Sequence, residues 1–430
     1  MPTTATTPLP GYDAALRRVV AHAPNVGVER VALRSALGRT LRADIHADRD
    51  QPPFDRSAMD GFAGRSGDVK PGVTYAVTGD VPAGGAAPTF RAGDGAGVLR
   101  IATGAAVPAG FDAVIPIERA EVTHDASGER VTFHVDAVRP WQCIHRRASD
   151  AKRGDPILRA GTPIGPQAVG IASTVGAVEV TVAQRPRITL ITSGDEVKPP
   201  ETPAGLLQPQ QIRNSNGPML TAFFDALAVP LLYHEHVPDD PERTLAAARE
   251  ALSHSHLVVT VGGASVGDRD YLPWAWKRLG LHVILHGVAI QPGKPVFAAS
   301  DAGESIAAPS KLVIGLPGNP VSVLATAHLF VWPVLLRMLR GGAEPSDAAA
   351  LLPWRMVRLA EPMTPKASRQ LFRAGRLLAD GSAAPIAWHG SGDLMHTADM
   401  HGWARLPQQD EPLAAGSPVP WLPIVRGAPW

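Results

Sequence analysis

Residues 257–271, LVVTVGGASVGDRDY, limit the fold more than any other stretch of the chain. The first five are apolar or β-branched, which suits a strand buried on both faces. Gly262, Gly263 and Gly267 follow, so the strand ends in a loop where backbone can approach a ligand closely. Such a strand belongs in the middle of an open α/β sheet, whose ligands sit beyond the carboxyl ends of its strands. Asp268 and Asp270 stand in the same loop and could hold a cation there.

The surrounding pattern agrees. Strands are expected at 188–192, 231–236, 282–288, 296–299 and 312–316, and helices at 218–227, 241–252, 272–279 and from 320 onward. Their alternation predicts a doubly wound, mostly parallel sheet with helices on both faces. A chain of 430 residues has room for further domains. Residues 11–22 carry one apolar helical face, and a second short helix is expected over 31–41. Residues 73–138 are short valine-rich strands broken by Gly and Pro, a small mostly-β domain. A helical pattern at 167–175 can return the chain from that domain. Beyond Gly341-Gly342, strand-like pieces and several tryptophans indicate a second small β-domain.

Composition removes some classes. With 41 basic and 40 acidic residues the net charge is +1, which argues against a broad nucleic-acid surface. The single cysteine, Cys143, excludes an internal disulfide and a cysteine-rich zinc site, and a cytoplasmic setting is the simplest expectation. The N-terminus has no apolar signal-like core. Residues 321–339 are apolar but include His328, Pro333 and Arg337, so a kinked buried helix is expected, not a membrane span.

Several local devices could carry chemistry. In LPGNPVS, residues 316–322, Asn319 suits a helix N-cap and Pro320 the first helical position. Free amides there would favour an anion, although a well-capped helix explains the same residues. Lys294 in QPGKP adds positive charge, but Pro295 stands where a Walker loop needs Ser or Thr. Gly263, Ser265 and Gly267 match G-x-S-x-G, yet no helix starts behind the serine; Asp301 and His328 would have to complete a triad. The pairs His234/His236 and His254/His256 lack a third metal ligand. Asp60, Asp150, Glu196 and Asp270 lie in or beside turns. Glu196 and Asp270 are expected at strand carboxyl ends of one sheet, where Mg²⁺ could join them to a phosphorylated ligand.

Seven segments in order, PPFDRSAMDGFA, RIATGAAVPAGFDAVIPIE, TSGDEV, QIRNSN, VGGASVGDRDY, PGKP and GLPGNPVSV, resemble the molybdopterin molybdenumtransferase family, the molybdenum insertases. The resemblance runs from about residue 8 to 410. It implies a multidomain α/β protein: an elongated dimerisation domain (1–50 with 141–186), an inserted mostly-β domain (51–140), an α/β molybdopterin-binding domain (187–341) and a C-terminal β-barrel-like domain (342–430). It implies insertion of molybdate into adenylylated molybdopterin with release of AMP and a requirement for Mg²⁺. A homodimer is implied, with a cleft shared between subunits; molybdopterin adenylyltransferase and client molybdoenzymes are the implied partners. Asp60, Thr103, Glu196, Asp270, Lys294, Pro317 and Pro320 match functional positions of the family, and Ser391 in HGSGD matches a C-terminal serine. In that reading Asp60, Asp150, Glu196 and Asp270 are catalytic, and Glu196 and Asp270 hold the metal. Ser193, Gly194, Asn214, Ser215, Gly262, Gly263, Ser265, Gly267, Gly318, Asn319 and Ser322 would help bind pterin and nucleotide.

The chain departs from the family pattern at His256, Val261 and Gln291, where an acid, a serine and a lysine are usual. Ser149 replaces an acidic neighbour of Asp150, and Arg56 stands where asparagine is frequent. These departures motivate an alternative: a non-catalytic molybdopterin carrier or chaperone for molybdoenzymes.

Overall fold

The computed structural model describes residues 8–86, 97–262, 271–302, 309–341 and 348–426. At its centre is a six-stranded sheet in the order Tyr233–Val237, Ile188–Ser193, Leu257–Val261, Leu312–Leu316, Phe297–Ser300, His282–His286. The first four strands run parallel, with Leu190 opposite Val259 and Val259 opposite Ile314. Every residue of Leu257–Val261 is buried, as its unbroken apolar run requires. The last two strands reverse direction in turn. Only short connections join them, and a parallel return would need a crossover of a dozen residues or more.

The helices follow their sequence signals closely. Pro241–His254 is capped by Asp240, whose carboxylate accepts from the Arg243 amide at 2.8 Å. Residues 31–41 do not form the expected helix. Val28–Ala32 is a strand paired antiparallel with Glu179–Ala183, and only Leu33–Ser35 makes a short 3₁₀ turn. Tertiary pairing with a segment some 150 residues away overrides the local pattern. Ile45–His46 pairs with Pro156–Leu158, so residues 28–50 and 144–183 share structure. Between them lies a six-stranded sheet in the order Ala113–Pro116, Gly61–Gly64, Val98–Ile101, Thr74–Val81, Gly128–Phe133, Ala120–Asp125.

The first helix, Tyr12–Ala21, packs elsewhere. Its buried face (Tyr12, Ala15, Leu16, Val19) joins the core of the central sheet. Asp13 pairs with Arg405 of the C-terminal region at 2.6 Å. The helix Pro320–Arg340 is long and apolar enough to cross a membrane, but 78% of its apolar window is buried inside the protein. Ala327–Val331 is π-helical, immediately before Pro333. Proline lacks an amide and crowds the carbonyl four residues earlier; the wider turn absorbs both effects.

The C-terminal sheet runs Ile290–Gln291, Gln370–Leu377, Gly402–Leu406, Pro418–Pro423, Arg355–Arg358. A sixth strand, Ala383–Pro385, pairs with Gln370–Leu377, and its Ala383 bridges Leu359 just beyond Arg355–Arg358. The sheet's first strand comes from the α/β region: Ile290 and Gln291 pair in parallel with Gln370 and Leu371. Phe372, Trp403 and Leu422 of this sheet share one core with Leu329 and Phe330. His328 sits at that junction, fully buried. Its Nδ1–H donates to the Leu324 carbonyl at 2.7 Å, and Nε2 accepts from the Val425 amide at 2.9 Å. Both partners demand the neutral ring, and burial pushes its pKa down to about 4.

This generates a pH dependence. Above the unfolded value of 6.5 both folded and unfolded states keep the ring neutral. As pH falls from 6.5 towards about 4, only the unfolded state takes up the proton, so stability is lost across that window. The loss is on the order of 3 kcal/mol at most. Chemical denaturation at several pH values should show a shallower fall over this range for His328→Gln than for the wild type.

Gly293 makes a second demand. Its φ is +102°, and a Cβ there would overlap Thr326 Cγ2 of the long helix. Gly293→Ala should lower stability by about 1–3 kcal/mol. Adding Thr326→Ser should recover the steric part and leave the backbone part, which a double-mutant denaturation series resolves.

Candidate functional site

Where the α/β region meets the C-terminal sheet there is a cleft of about 930 Å³. One wall is the loop Gln291 to Pro295 with Pro317, Gly318, Asn319 and Ser322; the other carries Lys366, Arg369, Arg373, Trp388 and the segment 389–391. Among the described residues its lining holds Lys294, Lys366, Arg369 and Arg373 and no carboxylate. Such a cavity concentrates anions. Arg373 lies over the Trp388 ring, 5.6 Å from its centroid, and burial lowers its pKa, with Glu361 opposing.

The LPGNP segment is placed as expected, with Pro320 in the first helical turn and Asn319 at the N-cap position. Asn319 does not cap the helix, however. Its Nδ2 donates to Ser391 Oγ at 2.9 Å, and the Val321 amide donates to the Ser391 carbonyl at 3.0 Å. One of the amides expected to be free for an anion is therefore taken by the C-terminal region, and the positive charge of the cleft lies mainly in its side chains. Ser322 is largely buried and contributes to the cleft lining.

Beside the cleft, the parallel strands end together. Gly262 has φ +86°, and a Cβ there would sit 2.5 Å from Ser193 Oγ, so the two strand ends can meet only with glycine at 262. Gly194 is held similarly: a Cβ would lie 2.6 Å from a Glu196 carboxylate oxygen. Glu196 is exposed and folds over that glycine. Backbone bonds tie its loop to the cleft. The Ile212 amide donates to the Glu196 carbonyl at 2.9 Å and the Asn214 amide to the Lys198 carbonyl at 2.7 Å. Asn216 Nδ2 then reaches the Gly318 carbonyl at 2.8 Å, leaving its buried Oδ1 without a partner. Asn214 itself points inward. It accepts from the Gly217 amide and donates to Thr192 Oγ1, so it organises the helix start instead of facing a ligand. Ser215 precedes that helix and is exposed.

Asp60 and Thr103 are brought together in the inserted β-domain, where Asp60 Oδ1 accepts the Thr103 amide at 2.8 Å. Asp150 is exposed and lies 2.7 Å from His145 Nε2. None of the three lines the cleft of the same chain. Gly263, Ser265, Gly267 and Asp270 lie outside the described residues.

The departures look different in place. His256 begins its strand, at the end opposite the site, with its Nδ1 accepting from the Arg187 amide at 3.1 Å. Burial, with Arg187 and Lys311 nearby, lowers its pKa to about 4. It does not line the cleft. Val261 is buried in the core. Gln291 lines the cleft, and Lys366 Nζ stands 3.2 Å from its Oε1, restoring a positive charge beside it. The serine-hydrolase alternative also fails: both ring nitrogens of His328 are bound within the core, and Asp301 is engaged by Ser310 and Lys311. His234 and His236 share a face, both against Thr192 Oγ1. Motif reasoning missed Asn216, Lys366, Arg369, Arg373 and Trp388. Asn216 stands within QIRNSN and was within reach; the other four carry no local signature.

Two family models match the chain: the MoeA N-terminal region (domain I and II) over residues 11–176 and the probable molybdopterin binding domain over residues 189–337. The molybdopterin molybdenumtransferase of Synechococcus elongatus is 35% identical over 417 residues, covering 95% of this chain and 98% of that protein. That of Bacillus subtilis is 32% identical over 438 residues, covering 99% and 96%. Among solved structures, a molybdopterin biosynthesis moeA protein from Pyrococcus horikoshii OT3 superposes with a TM-score of 0.77 at 26% identity, covering 96% of this chain and all of that one. With full-length relatives above 30% identity, a matching multidomain α/β fold and a glycine-lined sheet edge beside a cationic cleft, the chain belongs to the molybdopterin molybdenumtransferase family.

Proposed function

We propose that this chain inserts molybdate into the dithiolene of adenylylated molybdopterin, with release of AMP, as a step of molybdenum cofactor biosynthesis. The carrying observation is the cleft with four cations and no acid in its described lining, set beside an exposed carboxylate at a strand end. Both substrates are anions, and the reaction separates an adenylate from a pterin phosphate. Lys294, Lys366, Arg369 and Arg373 would neutralise molybdate and phosphate oxygens. Trp388 offers a planar face, and the buried, unpartnered Asn216 Oδ1 offers an acceptor for a nucleotide or pterin N–H or O–H.

Glu196 fits a hard divalent cation. Its exposed carboxylate, lodged over Gly194, would serve as one protein ligand with Asp270 as the second. Mg²⁺ there would draw charge from the phosphoanhydride as it opens. The protein side chains do the positioning: cations fix the departing phosphate, and the Gly262 and Gly194 backbone allows close approach. Asp60 and Thr103 form a ready exposed pair but do not line their own cleft, which supports a homodimer in which they reach the partner's site. The elongated domain would then supply the subunit contact, and Asp150 would join the shared cleft. A cytoplasmic setting and contacts with the adenylyltransferase and client enzymes belong to the same proposal. The carrier alternative loses its main support, because His256 faces away and Lys366 accompanies Gln291.

The decisive assay is AMP release from adenylyl-molybdopterin with molybdate and Mg²⁺. Wild type should turn over, and Glu196→Ala should bind pterin yet release little AMP. Tight pterin binding with no release by wild type would overturn catalysis in favour of carriage. Within the same assay, Lys366→Ala and Arg373→Ala should each weaken substrate or molybdate binding about 10- to 100-fold, as loss of a charged hydrogen bond predicts. Unchanged KM values for both would remove the cleft from the substrate site.

A further inference from the structure

The loop that closes the cleft's C-terminal wall carries His389, Asp393 and His396. We propose that these three side chains bind one zinc-class divalent ion, distinct from the cation assigned to Glu196.

Their ligand atoms all lie within 4.8 Å of one another. His389 Nδ1 is 3.1 Å and His396 Nδ1 2.8 Å from the Asp393 carboxylate. Ligands held about 2.0–2.1 Å from a tetrahedral ion stand about 3.3 Å apart. The two histidine–aspartate distances of the present cluster are therefore within roughly a few tenths of an ångström of those an ion would set. The central ligand is already fixed, since the backbone amides of His389 and His396 donate to Asp393 at 2.8 and 3.4 Å. The Asp393 side chain is only 14% exposed, whereas those of His389 and His396 are 84% and 52% exposed. The loop thus wraps a preset carboxylate and leaves the two rings, 5.0 Å apart, accessible from solvent. Both rings aim the same nitrogen at one carboxylate, an arrangement that loop stapling alone does not require.

Two imidazoles and one carboxylate select Zn²⁺, Co²⁺ or Ni²⁺ over Mg²⁺, which prefers oxygen ligands. Three protein ligands leave a coordination position for water or another small donor. His389 also lines the cleft, and Ser391, two residues on, holds Asn319 and Val321. An ion at this place would clamp the loop against the helix start at the cleft rim.

The test is metal binding by the full-length, tag-free, metal-stripped protein, independent of any turnover. Zn²⁺ is titrated in competition with a chromophoric chelator, and Co²⁺ is followed by its visible absorption. One equivalent per chain should bind well above the affinity of the remaining histidines, and a large excess of Mg²⁺ should not displace it. His396→Ala and Asp393→Asn should each weaken that site at least ten-fold and abolish the Co²⁺ bands. The exposed His389→Gln gives the same readout without touching the partly buried carboxylate, so a folding defect in the other variants cannot decide the result. Absence of a stoichiometric site in folded wild type would overturn the proposal. So would retention of that site in a His389→Gln/His396→Ala double variant.

Discussion

Two residues of strand pairing, Ile290–Gln291 against Gln370–Leu371, set the geometry of the functional half of this protein. Backbone hydrogen bonding of this kind fixes register as well as contact. It places Lys294, three residues along, opposite Lys366, Arg369 and Arg373. Around the pairing the two regions do not merely touch; Phe330, Phe372, Trp403 and Leu422 lie in one continuous core. The neutral His328 completes the junction, joining the long helix to the Val425 amide through its two nitrogens. A buried polar group with both positions satisfied specifies one arrangement where apolar packing alone would tolerate several.

Glycine supplies the complementary constraint. At Gly262, Gly194 and Gly293 a side chain would collide with Ser193, Glu196 and Thr326 respectively, and each position has positive φ. These three allow strand ends, carboxylate and lysine loop to crowd at one edge of the sheet. The site is thus made of backbone proximity on one side and long cationic side chains on the other. Backbone gives shape without charge, and the cations give charge with reach.

Much of the central sheet was legible in the sequence because its inner strands, such as Leu257–Val261 and Leu312–Leu316, are buried on both faces and read as apolar runs. Leu312–Leu316 was located to the residue, and Leu257–Val261 was placed as a fully buried strand. Residues 31–41 were misread, since the partner that makes Val28–Ala32 a strand arrives from Glu179–Ala183. His256, where the family usually has an acid, stands at the opposite end of its strand from Val261, about 16 Å away, so this departure lies far from the cleft. The C-terminal wall of the cleft was hardest to foresee. Lys366, Arg369, Arg373 and Trp388 sit in no recognisable motif and come to line the cleft only when the last sheet docks. The spacing His389-x₃-Asp393-x₂-His396 was visible but fell beside the serine that drew attention.

The shared core has a consequence for how such a chain can be divided. A gene split after residue 341 would not give a self-sufficient α/β half and a removable accessory module. The first half would expose the apolar flank of its longest helix and leave His328 with one nitrogen unmet, while Ile290 and Gln291 would become an unpaired edge. It would also keep Lys294 as the only one of the four described cleft cations. In this architecture the C-terminal region forms one wall of the cleft, and it must be inherited, expressed and folded together with the sheet it completes.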